Sequence, residues 1–109
     1  MSERTLFILQ RATAGLLAPF VIAHLMVILY AMQGGLTGAE ILARTQGSLG
    51  WALFYGAFVV VAAVHAPIGL RNIMREWTPW RGRSLDIAML GLSLVFLVIG
   101  GRAVVAVVA

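Results

Sequence analysis

Two histidines, His24 and His65, are the only imidazoles in the chain, and both fall within long uncharged runs. An ionisable side chain is costly to hold in hydrocarbon, so each is a functional candidate by default. The structural alternative is a neutral imidazole hydrogen-bonded across a helix interface. Other chemistry is thinly supplied. Cysteine is absent, which removes disulfides, thiolate catalysis, cysteine-ligated zinc and iron–sulfur clusters. The four carboxylates, Glu3, Glu40, Glu76 and Asp86, all lie outside the apolar runs. A zinc, di-iron or proton-relay site therefore lacks a second ligand type. Imidazoles on facing helices of a bundle suit haem b, whose iron accepts histidine as an axial ligand.

Spacing refines that reading. His65 precedes Arg71 by six residues, about 9 Å of helix, and His24 follows Arg11 by thirteen, roughly 20 Å. Two ligands of one iron face each other at one level, and these two do not. If both bind haem there are two haems, each completed by a histidine from another chain. Gly69 and Asn72 follow His65 at i+4 and i+7, on the same helical face. A glycine there leaves a recess for a macrocycle, or simply lets two helices approach closely. Pro19 and Pro67 loosen their helices one turn earlier, near Gly15 and Ala63. Arg11 and Arg71 mark the inner ends of two apolar runs, near His65 in depth. Either can pair with a propionate, donate to a quinone carbonyl, or serve as a snorkelling topology marker. Arg102 lies near His24 in estimated depth, where a propionate of an outer haem is a natural partner.

The elements that must position these residues are membrane spans. Apolar residues make up 61% of the 109 residues and charged residues only 11%, and the mean hydropathy is +0.99. A soluble domain carries about 25% charged residues, so a free-standing globular enzyme is excluded, and so is disorder. Ala12–Met32 and Thr45–Leu70 run 21 and 26 residues without a formal charge, and a spanning helix needs roughly 20. Ile87–Gly101 is only 15 residues, so the third helix is expected to continue past Arg102. The first run is too long for a signal-peptide core and lacks a small-x-small cleavage site followed by a soluble mature domain, so it is read as a helix. The expectation is an all-α membrane protein with three transmembrane helices, at about residues 8–32, 47–73 and 86–108 of a single membrane domain.

All eight basic residues are arginine, for a net charge of +4. They are scattered between apolar spans and form no basic patch, so no nucleic-acid partner is expected. Arg4, Arg11, Arg71, Arg75, Arg81 and Arg83 fall on one side of the spans, and Arg44 and Arg102 on the other. That bias predicts a cytoplasmic N-terminus and an outside C-terminus. Gln33–Gly47 reads as a turn followed by a short interfacial helix. Trp77 and Trp80, among arginines, read as interfacial anchors. Ser84 is expected to cap the third span, with Asp86 in its first turn.

The stretch HAPIGLRNIMRE, from His65 to Glu76, resembles a signature of the cytochrome b membrane-anchor subunits of succinate dehydrogenase and fumarate reductase. That signature reads His, three residues, Gly, Ile or Leu, Arg, then His or Asn and a following acid. QRATAGLLAPFVIAHL, from Gln10 to Leu25, resembles the family's first-span opening of His or Gln, Arg, any residue, a small residue and Gly. With the three-span layout, the resemblance covers most of the chain. It implies that His65 is an axial ligand of haem b, that Arg11 contacts quinone and a haem propionate, and that Arg71 and Glu76 match the arginine and acid after the histidine. His24 resembles the first-span histidine of two-haem members, whose single five-span chain supplies ligands from four helices. Two positions depart from the pattern: Phe7 stands where some members place a quinone-site serine, and Asn72 where a histidine often follows the arginine.

The resemblance implies a haem b-binding anchor in a prokaryotic cytoplasmic membrane, with one haem or two and a quinone as electron acceptor or donor. Its expected partners are a flavoprotein subunit, an iron–sulfur subunit, the lipid bilayer, and a second anchor chain or another copy of itself. Dicarboxylate chemistry would reside on the flavoprotein, so this chain alone is not a complete enzyme. Two other readings stand beside this one. One is a haem-free structural anchor. The other is a small membrane transporter, which would need an intramembrane carboxylate that the sequence lacks.

Overall fold

The computed structural model describes residues 2–109. Four helices follow in order, α1 (Glu3–Gly34), α2 (Gly38–Thr45), α3 (Leu49–Trp77) and α4 (Arg83–Val108), with no strand among the described residues. Helices α1, α3 and α4 are long and apolar enough to cross a membrane. Three long apolar helices, with a short helix between the first two, are present as expected.

Local chemistry sets the helix ends. Ser2, Thr37 and Ser48 cap α1, α2 and α3, their hydroxyls accepting from the backbone N–H of Thr5, Glu40 and Trp51. Helix α1 stops at Gly35, whose φ of +107° suits only glycine. Helix α3 stops at Thr78, held extended by the following Pro79. Ser84 does not cap α4. That helix opens at Arg83 after Gly82, whose φ of +87° makes the turn, and the Ser84 hydroxyl instead accepts from Trp80 Nε1 at 2.8 Å. Asp86 lies in the first turn as expected.

Helix α3 is the middle element, with α1 and α4 packed against it. The face of α1 turned to α3 is a heptad-like stripe, Leu6, Gln10, Thr13, Leu17, Phe20, His24 and Val27, whose members are buried or half-buried. The rest of α1 is largely exposed apolar surface, suited to lipid or to other helices. Helix α4 approaches α3 closely at Gly100, where a Cβ would lie 2.5 Å from Val59 Cγ1. Near its other end Leu85 is wholly buried.

Two backbone defects are repaired by tertiary hydrogen bonds. Pro67 has no N–H for the carbonyl of Ala63, and the Ser93 hydroxyl of α4 donates to that carbonyl at 2.6 Å. The last carbonyls of α4 have no intrahelical donors. The segment ending α2 serves them: Thr45 Oγ1 donates to Val107 O at 2.5 Å, Gly47 N to Val108 O at 2.8 Å, and Gln46 Nε2 to Ala109 O at 2.9 Å. Arg44 closes the same loop by donating to Gly35 O at 2.9 Å.

Candidate functional site

His65 sits on the α3 face that meets α1, two residues before Pro67. Its Nδ1 lies 3.1 Å from Thr13 Oγ1, and Thr13 is buried. The Thr13 hydroxyl proton is engaged by backbone carbonyls, Leu9 O at 2.7 Å and Gln10 O at 3.1 Å. With the hydroxyl proton on Leu9 O, the shortest of these contacts, the oxygen lone pair accepts from an N–H on His65 Nδ1. A neutral imidazole with its proton on Nδ1 presents a lone pair on Nε2, and His65 Nε2 makes no hydrogen bond among the described residues. That is the form in which histidine ligates a metal.

One turn further along α3, the recess at Gly69 is filled from within the chain. A Cβ there would stand 3.1 Å from Gln10 Nε2, so the glycine makes room for Gln10. The Gln10 Oε1 atom is buried without a hydrogen-bond partner. Beside it opens a cavity of about 540 Å³ lined by Glu3, Arg4, Phe7, Gln10, Arg11 and Asn72 among others. Arg11 is exposed and its guanidinium lies over the Phe7 ring, 5.6 Å from the centroid. A second cavity, of about 300 Å³, lies between α1, α3 and α4, with apolar walls and Arg71 and Asp86 at its polar end.

Arg71 is the buried cation of the molecule. Its Nε donates to Asp86 Oδ1 at 2.7 Å, and its two terminal nitrogens donate to the Glu3 carboxylate at 2.5 and 3.3 Å. Arg75 donates to the same carboxylate at 2.7 Å. The network ties the starts of α1 and α4 to α3. Glu76, the acid of the family signature, is exposed, and Arg71 pairs with Glu3 and Asp86.

The levels differ from the sequence expectation in one respect. Arg71 meets Glu3, whereas Arg11 is two residues from Thr13 and so level with His65. Arg71 follows His65 by six residues, so Arg11 stands about 6 Å of helix beyond the level of Arg71. The cause is that α1 continues for two turns before Arg11, starting at Glu3. On the same scale Thr13 and His24 are eleven residues apart, about 16 Å, so the two histidines are at separate levels.

His24 has a different setting. Its ring stands edge-on to Tyr55 and Phe58, with centroids 5.9 and 5.6 Å away. Its Nδ1 is buried without a hydrogen-bond partner. Arg102 is exposed on α4, two residues past Gly100, which puts it on roughly the opposite side of that helix from Val59. Within one chain it does not share a face with His24.

The structure thus brings His65, Gly69 and Arg11 to one end of the α1–α3 seam, with Arg71 below them, and leaves His24 and Arg102 apart. Sequence reasoning missed Thr13 and Gln10, although both lie inside the first-span motif. For haem b the donor set fits at His65, whose Nδ1 meets Thr13 Oγ1 while Nε2 makes no hydrogen bond among the described residues. An unpartnered Gln10 acceptor lies close by. No group of three or more His, Asp or Glu side chains gathers among the described residues, so each histidine is a single donor.

The family model of the succinate dehydrogenase/fumarate reductase transmembrane subunit matches residues 2–100. No curated protein and no solved structure matches the chain. A match over that length, on a structure with three membrane-crossing helices and the His65–Arg71 segment on its central one, means that the chain belongs to the succinate dehydrogenase/fumarate reductase transmembrane subunit family.

Proposed function

We propose that the chain is the haem b-binding membrane anchor of a succinate:quinone oxidoreductase-type complex. The observation that carries the proposal is the 3.1 Å contact between His65 Nδ1 and Thr13 Oγ1, which leaves Nε2 free as an axial donor. Family membership supports the wider assignment. Haem b, when bound, supplies a one-electron relay between an iron–sulfur subunit and quinone.

The chain's own residues have distinct tasks in this reading. His65 would hold the iron through Nε2. Arg11, at the same level and lining the larger cavity, donates to a haem propionate or to a quinone carbonyl. Arg71 positions the ends of all three long helices and keeps two N–H groups uncommitted for a propionate. Gly69 keeps the backbone of α3 approachable. His24 and Arg102 would serve a second haem, completed by another chain.

The flavoprotein and iron–sulfur subunits dock at the arginine-rich end, which the positive-inside bias makes cytoplasmic. The membrane is then a prokaryotic cytoplasmic membrane. Dicarboxylate chemistry belongs to the flavoprotein. A haem-free anchor is the second reading, favoured by the closure of the Gly69 recess by Gln10.

One spectrum separates the two. The purified complex is expected to show a Soret band and a reduced α-band, and His65→Ala is expected to abolish the low-spin signal, since it removes a strong-field axial ligand. A complex without these bands supports the haem-free anchor. An unchanged low-spin spectrum in the variant overturns the His65 assignment.

A further inference from the structure

Thr13 is one of three buried polar residues among the described residues, and its hydroxyl meets three groups: Leu9 O at 2.7 Å, Gln10 O at 3.1 Å and His65 Nδ1 at 3.1 Å. The hydroxyl has one proton to give. Back-bonding to the carbonyl four residues earlier is the usual use of a helical threonine, and here it is the shortest of the three contacts. The oxygen lone pair that remains faces His65, so Nδ1 must carry the ring proton. A free neutral imidazole side chain prefers its proton on Nε2. The seam between α1 and α3 therefore imposes the less favoured tautomer, the one whose Nε2 can bind a metal.

We propose that Thr13 is a positioning residue for His65, fixing both its tautomer and its ring plane before any ligand arrives. The proposal deepens the haem reading and rests on it for its consequence in the complex. His24 provides an internal contrast. No acceptor meets its Nδ1, which is buried among Tyr55 and Phe58 without a partner. Nothing in its surroundings selects a tautomer. Outer-shell hydrogen bonds to metal-bound imidazole raise ligand basicity and are worth about 10–100-fold in metal affinity. A more basic imidazole favours the ferric state, so losing the Thr13 acceptor raises the midpoint potential.

Thr13→Val keeps the shape of the side chain and removes the acceptor, while Thr13→Ser keeps the acceptor. The first measurement needs no haem. In the full chain, labelled with ¹⁵N-histidine and held haem-free in detergent micelles, the His65 nitrogens are expected to report protonated Nδ1 in the wild type and in Thr13→Ser, and protonated Nε2 in Thr13→Val. His24→Ala identifies which signals belong to His65. In the assembled complex, Thr13→Val is expected to raise the midpoint potential of the His65-dependent haem and to weaken haem retention about tenfold, with Thr13→Ser close to wild type. Protonated Nε2 in the wild type, or a tautomer unmoved by Thr13→Val, overturns the role of Thr13 whatever the haem content. A complex with no His65-dependent haem overturns the haem reading and the ligand role with it, even where the tautomer measurement agrees.

Discussion

Arg11 lines the larger cavity at the level of His65, and its guanidinium lies over the face of Phe7, 5.6 Å from the centroid. An exposed cation–π contact is worth about 0.5–1 kcal/mol, whereas a hydrogen bond from a charged donor is worth about 1.5–3 kcal/mol. The guanidinium can therefore leave Phe7 for an oxygen acceptor at a net gain. Arg11→Ala is expected to lower quinone reduction at least about tenfold, on the order of 1.4 kcal/mol in the transition state, while activity of the soluble subunits with an artificial acceptor stays near wild type. Equal losses in the two assays would place Arg11 in assembly instead. His65 and Arg11 stood out in the sequence as candidates because ionisable groups in or beside an apolar run carry their own signal. Thr13 was not, since a helical threonine looks the same whether it serves only its own backbone or also a histidine 52 residues away. The acids on Arg71 were not legible for the same reason: the fold supplies Glu3 and Asp86 from two other helices.

At the scale of the element, Pro67 shows how a local defect becomes a tertiary bond. The sequence alone predicted a loosened turn at Ala63, because a proline cannot donate to the carbonyl four residues before it. The donor that repairs the turn, Ser93, belongs to α4, and no pattern within α3 announces it. Ser93→Ala is expected to destabilise the protein by about 1 kcal/mol, the net worth of one such hydrogen bond. The test is a double-mutant cycle read by unfolding in detergent. In a Pro67→Ala background residue 67 regains its N–H and Ala63 O regains a helical donor, so Ser93→Ala should cost measurably less. An unchanged cost in that background would mean that Ser93 acts through packing rather than through the carbonyl. The short helix α2 was legible as a glycine-rich turn followed by a short helical run between Gln33 and Gly47, and the structure caps it with Thr37, which accepts from Glu40 N–H and donates to the Glu40 carboxylate. Its docking on the last carbonyls of α4 was not, because backbone acceptors leave no trace in sequence.

At the scale of the whole molecule, the three spans were legible because each is a local run of apolar residues. The relative heights of those spans were not. Height depends on which residue of α1 meets which residue of α3, and the pairings Thr13–His65 and Glu3–Arg71 settle it. Those pairings leave His65 as the sole imidazole at its level, with His24 about 16 Å along α1. A low-spin iron with two imidazoles must then draw its second ligand from another chain, either a different anchor or a copy related by a two-fold axis along the membrane normal, which preserves height. Two consequences follow for experiment. The chain held monomeric in detergent with haem present is expected to give no low-spin spectrum, and that spectrum is expected to appear with the partner or with self-association, followed by absorption and sedimentation on the same samples. His24→Ala is expected to leave the His65-dependent signal in place, because the two histidines are too far apart in height to share an iron. A second haem, where present, would be lost in that variant while the first remained. A low-spin, two-histidine haem on the monomer, or loss of the His65 signal in His24→Ala, would mean that α1 and α3 slide to bring both histidines to one iron, against the pairings that the seam now makes.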